Sequence, residues 1–167
     1  MTHGRKPRKP RAIHLDAFDL AQRRASRLTK AQIRDTIEPP LQCLTRLAEG
    51  VATEDQHTVL TTCLQIALDI EDCGIVRGLH EHLQAGMQAL ENVRTRALHS
   101  GTWCPPSLDF DELDALREAV DLHHLQLQQL SAGELHTITA RLIARTLSAG
   151  GAAVRTTLND MGLRAAG

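Results

Sequence analysis

The chain has 167 residues, 42% of them hydrophobic and only 2% aromatic, with a formal net charge of −1. That length makes one domain of ordinary size with a real core, no uninterrupted apolar run approaches membrane-spanning length, and the few aromatics (Phe18, Trp103, Phe110, no Tyr) argue against folds that read single strands by stacking bases on aromatic platforms. The near-zero charge conceals a two-signed molecule: residues 1–34 hold ten Lys/Arg against two acids, a net of +8, and the remaining 133 hold nine against eighteen, a net of −9.

Residues 1–14 contain Arg5, Lys6, Arg8, Lys9 and Arg11 with Pro7 and Pro10 between them. Without apolar periodicity, and with charges that repel one another, they read as a flexible arm whose prolines favour an extended backbone. No apolar block follows the charged start, so it is not a secretory signal. The acids Asp16 and Asp19 spoil the pattern of a mitochondrial transit peptide.

The first helix is expected over about 16–37. Phe18, Ala21, Ala25 and Leu28 make a weakly apolar face, and Arg23, Arg27, Lys30 and Arg34 a basic one, with Arg24 beside it. Thr29 and Gln32 have capping-box spacing, which allows a break at Leu28–Thr29. Pro39–Pro40 should interrupt or restart the helix. A short helix over 41–49 then points Leu41, Leu44 and Leu47 inward and ends at Gly50.

The next helix runs from near Thr53 to Cys73, with Val59, Cys63, Ile66, Ile70 and Cys73 as a coiled-coil-like seam and Gly74 ending or bending it. Another covers about 75–99, with Leu79, Leu83, Met87, Leu90 and Val93 toward the core and Ser100–Gly101 closing it. In the loop after it, Pro105–Pro106 forbid helix and Trp103 is expected to fold over the end of the bundle. Asp109 with Glu112 caps the following helix, on which Leu113, Leu116, Val120, His123, Leu127 and Leu130 recur at helical spacing. Ser131 with Glu134 caps a last helix over about 132–148, stopped by Gly150–Gly151. Residues 151–167 read as a loosely ordered tail. The fold class is therefore all-α, an antiparallel bundle of five to six helices over residues 15–150 behind the basic arm.

Lysine and arginine neutralise phosphates and release counterions, so the ten cations of residues 5–34 are the candidate nucleic-acid contacts. The bland alternative is a solubilising tail, or one that contacts an acidic protein surface. The pairs Glu54/His57 and Asp121/His124 have the carboxylate–imidazole spacing of di-iron bundles. A working site would need a Glu from each of two other helices. Glu81 and Glu91 are the only donors to hand, and their neighbours do not repeat the motif, so no metal ligand is assigned. His123 on the apolar stripe reads as a core histidine with a hydrogen-bond partner. His80 and His82, two apart, face different ways. Cys104–Pro105 is too short to argue haem ligation. Cys43, Cys63, Cys73 and Cys104 read as free, mostly buried thiols in a reducing cytoplasm. Asp109, Asp111, Glu112, Asp114, Glu118 and Asp121 read as capping plus a solvated face. The sharper alternative is a phosphate-like surface for a basic partner. No P-loop, dinucleotide fingerprint, nucleophile elbow or Cys-x-x-Cys zinc motif is present, so neither catalytic residue nor cofactor is assigned.

The string GRKPRKPR (residues 4–11) resembles the arginine–proline cores of minor-groove arms such as AT-hooks, though the arginine–glycine–arginine–proline core itself is absent. The layout over 40–73, the loop 101–106 and the helix 113–130 is similar to small helical proteins of unknown function from proteobacterial phages and integrated elements. That resemblance implies a mobile-element origin and a bacterial cytoplasm, and no activity. The expectation is a non-enzymatic accessory protein that grips DNA or a nucleoprotein assembly with its arm and first helix, while the bundle offers a dimer or partner surface. The alternatives are a protein-interaction module acting on a host complex and, remotely, a metal-binding bundle.

Overall fold

The computed structural model describes residues 17–151; the arm and the C-terminal tail read from the sequence lie outside them. Six helices follow in order: α1 (Ala17–Ala25), α2 (Lys30–Ala48), α3 (Glu54–Asp72), α4 (His80–Ala97), α5 (Phe110–Leu127) and α6 (Ala132–Ser148). Among the described residues there is no strand, only an isolated antiparallel bridge between Arg27 and Ser131. No helix there is long and apolar enough to cross a membrane.

Four helices begin in a full capping box: Thr29–Gln32, Thr53–Gln56, Asp109–Glu112 and Ser131–Glu134. In each, two of the orphan amides at the helix start are satisfied reciprocally, and losing such a cap costs about 1 kcal/mol. The Thr29 box also ends the first basic stretch as a single helix. The chain bends at Ser26 and is extended at Thr29, and the amides of Leu28 and Ala132 donate to the carbonyls of Leu130 and Ser26, at 3.1 and 3.0 Å. Gly133 lets the end of α1 lie on α6, because a Cβ there would stand 2.8 Å from the Arg24 carbonyl oxygen.

Several expectations are corrected. Pro39 and Pro40 lie inside α2 rather than between two helices. An interior proline costs about 3 kcal/mol, but Ile33, Ile37, Pro40, Cys43, Leu44 and Leu47 form one continuous buried face across the pair. Each large apolar side chain buried is worth about 1.5–3 kcal/mol, so the face outweighs the two lost amide donors. The carbonyl of Asp35, which Pro39 leaves without its helical donor, belongs to an exposed residue within reach of water. Leu41 falls off that face and is 42% exposed, not inward.

The seam read on α3 is only partly its core. Cys63 and Ile70 are buried, Val59 and Ile66 are partly buried against the core, and Cys73 is exposed. Leu60, Leu64 and Ala67 are fully buried instead. The reason is position: α3 packs against α2, α4, α5 and α6, so its apolar stripe is far wider than a two-helix seam.

α4 starts at His80, later than expected. Gly74 and Gly78 both adopt positive φ, 75° and 89°, and turn the chain. Lacking a side-chain cap of its own, α4 is capped from the preceding helix: Glu71 Oε1 accepts from the amides of Gly78 and Leu79, both at 2.8 Å. α4 and α5 then pack closely through small residues, since a Cβ on Gly86 would stand 2.7 Å from Ala119 Cβ.

Candidate nucleic-acid interface

Five of the ten cations assigned from the sequence are described, and Arg23, Arg24, Arg27, Lys30 and Arg34 are all exposed. Arg5, Lys6, Arg8, Lys9 and Arg11 lie outside the described residues. The break at residues 26–29 divides the basic face anticipated on one helix. Arg23 and Arg24 end α1, Arg27 sits in the connector, and Lys30 and Arg34 occupy the first turns of α2. The five therefore form a corner rather than a stripe. The apolar face anticipated beside them does not form either: Phe18 is 73% exposed, and Leu28 alone is buried.

The corner is held by backbone, which leaves its side chains available. Arg27 Nη1 donates to Gln129 Oε1 at 3.4 Å, and Arg34 stands 3.6 Å from the Asp35 carboxylate, with both partners largely in solvent. Such exposed contacts are worth under about 1 kcal/mol each and yield readily to a stronger anion. Electrostatics at the start of α2 run against stability. Every other helix carries an acid in its first turn, where the dipole favours one; α2 has none and begins with Lys30.

The other candidates resolve into structural roles. His57 faces inward: its Nε2 lies 2.9 Å from the Leu90 carbonyl, which can only accept, so Nε2 carries the proton. Trp103 meets it edge-on at 5.3 Å and donates its indole N–H to the Ala52 carbonyl at 2.8 Å, pinning the α4–α5 loop over the end of the bundle. Glu54 stays exposed and shares no site with His57. His123 is buried, with Nδ1 3.3 Å from Gln126 Oε1, while the Gln126 amide donates to the Ala67 carbonyl at 3.0 Å. Burial pushes the His123 pKa down to about 4. His82 pairs with Glu118 at 3.0 Å on the surface. No group of three or more His, Cys, Asp or Glu among the described residues is placed to hold a metal ion.

The acids of α5 divide in two. Glu112 is buried and takes both guanidinium nitrogens of Arg96, at 2.6 Å each, while its amide is capped by Asp109. The Arg96 hydrogen bonds hold its carboxyl below the usual range, against the opposing push of burial. Asp111 and Asp114 stay exposed. The sequence shows Glu112 as a cap but not its pairing with Arg96. Sixteen residues separate the partners, so only the α4–α5 packing brings them together. The four cysteines are free; Cys43 and Cys63 are buried, but Cys73 and Cys104 are exposed, against expectation. Burial, with Cys43 nearby, pushes the Cys63 thiol up to about 12, so it is inert.

Two surface hollows among the described residues are open to solvent. One is lined by Asp35, Glu38, Pro39 and Gln42, and one by Asp19, Gln22, Arg23 and Ser26. In the second, the Ser26 hydroxyl donates to the Arg23 carbonyl at 2.7 Å. Compared with protein-family models, curated proteins and solved structures, the chain matches none.

Proposed function

We propose that this is a non-enzymatic accessory protein that binds DNA, or a nucleoprotein assembly, through its basic N-terminal arm and the α1–α2 corner. The observation that carries this reading is the corner itself. Five exposed cations project from a backbone fixed by the Leu28–Leu130 and Ser26–Ala132 hydrogen bonds, and they continue the five cations of residues 5–11 along the chain. Placing Lys30 where the α2 dipole prefers an acid costs a few tenths of a kcal/mol. Local departures from the rules of folding are expected at functional sites, which supports the reading. Contacts of this sort go to phosphates, so affinity depends on salt and little on sequence. The test is a fluorescence-anisotropy titration of duplex DNA with the wild type and with Arg23→Glu/Arg27→Glu/Lys30→Glu. The variant should bind at least tenfold more weakly at low salt with an unchanged circular dichroism spectrum. Equal binding would remove the corner from the proposal.

The exposure of Phe18 and Phe110, 73% and 75%, favours a second reading, a protein-interaction module. Its sign would be capture of one defined protein that persists after nuclease treatment.

A further inference from the structure

The 19 residues of α2 span about 28 Å, and the two ends of that helix carry unlike surfaces. At its start is the basic corner, with Phe18 on the adjoining α1. At its far end the α2–α3 and α4–α5 connections meet: Trp103 donates to the Ala52 carbonyl, and a Cβ on Gly50 would stand 3.1 Å from the Ser107 amide. On that end Val51, Leu98 and Phe110 are exposed at 51%, 36% and 75%. Glu54 and Asp55 open α3, and Asp111 and Asp114 open α5, all exposed. The loop bonds hold this surface in place, so little ordering entropy would be lost on docking.

We infer that a second copy of this chain docks its basic α1–α2 corner on the acid-rimmed apolar end of the first, head to tail. The two surfaces are complementary in charge. Five exposed cations stand at the corner, and at the other end exposed Glu49, Glu54, Asp55, Asp109, Asp111 and Asp114 outnumber the exposed Arg46, Arg94 and Arg96 that share it. Phe18, on the helix leading into the corner, and Phe110, at the acidic end, are the two most exposed large apolar residues described. Neither phenylalanine belongs to the buried core. Opposite charge steers the encounter and fixes its register, and apolar burial at the centre of the contact holds it. Because the two surfaces differ, the contact is heterologous: it leaves one free corner and one free end on every pair and propagates into longer assemblies. It draws on the cations that DNA would contact but stands without the nucleic-acid reading, and its test contains no nucleic acid.

Sedimentation velocity of the nuclease-treated full chain reads the outcome. At about 50 mM salt the weight-average coefficient should rise with protein concentration past that of a dimer, and at about 500 mM salt it should return to the monomer value. Phe110→Ser/Asp111→Asn removes one surface and Arg23→Glu/Arg24→Glu the other, all at exposed positions outside the core, and an unchanged circular dichroism spectrum shows that each variant is folded. Each variant alone should be monomeric, and an equimolar mixture should form a heterodimer and nothing larger. A wild type that stays monomeric at low salt, a variant that still self-associates, or a mixture that stays monomeric would each overturn the inference.

Discussion

His123 gives the sharpest energetic test of the core. Its imidazole is 1% exposed, and its hydrogen-bonding partner, Gln126, is fully buried. With an ordinary pKa of 6.5 in the unfolded chain and about 4 in the folded one, the folded state resists a proton that the unfolded state accepts. Stability from this group is therefore complete above about pH 7 and falls as pH drops through the window between the two values. Linkage over that window gives a loss of about 2.5 kcal/mol between pH 7.5 and 4.5. Urea unfolding at the two pH values, for wild type and His123→Leu, isolates it. Leucine removes the titration and leaves Gln126 Oε1 without its donor, a cost of about 1–3 kcal/mol that is the same at both pH values. The wild type should lose about 2–3 kcal/mol more on acidification than the variant. Equal losses would show that His123 takes up its proton in the folded state at its ordinary pKa, and the buried-imidazole argument would fail.

Replacing Arg96 by Leu leaves the Glu112 carboxylate buried without its partner. Because the Arg96 side chain is 42% exposed, the expected loss is about 2–3 kcal/mol rather than the larger figure for a fully buried pair. That penalty should shrink as pH falls, because burial without Arg96 pushes the Glu112 carboxyl up and its protonation removes the unpaired charge, and chemical denaturation at neutral and acid pH checks it. Gly86→Ala should destabilise despite the better helix former. The gain of about 1 kcal/mol in propensity is outweighed by a Cβ 2.7 Å from Ala119 Cβ and 3.0 Å from Leu64 Cδ1, for a net loss of about 1–2 kcal/mol. Adding Ala119→Gly should recover part of the lost melting temperature, and a double variant no more stable than the single one would place the clash elsewhere.

Much of the fold was legible because its punctuation is local. Thr29, Asp109 and Ser131 each stand three residues before a Gln or Glu, and each opens a helix as the spacing says. What escaped the sequence depends on contacts between distant segments. Pro39 and Pro40 carry the rule that helices break, and only the buried face running past them shows why this one does not. The start of α4 depends on a carboxylate, Glu71, that belongs to the helix before it. On α3 the seam misled because a helix packed against four others has no single apolar side. For the candidate interface, the identity and exposure of the five described cations follow from the sequence, but their grouping into a corner follows from the bridge at Arg27–Ser131. That Phe110 and its neighbouring acids lie at the far end of α2 from that corner is a property of the packing alone.

The central claim, that this chain grips a polyanion with its N-terminal cations, is tested most directly by the salt dependence of duplex DNA binding by the full chain. Five phosphate contacts from the α1–α2 corner alone predict a slope of about −4.5 for log K against log salt, roughly a five-hundred-fold loss between 50 and 200 mM, and steeper if the arm contributes. A slope shallower than about −2, or no binding at 50 mM salt, would contradict the account.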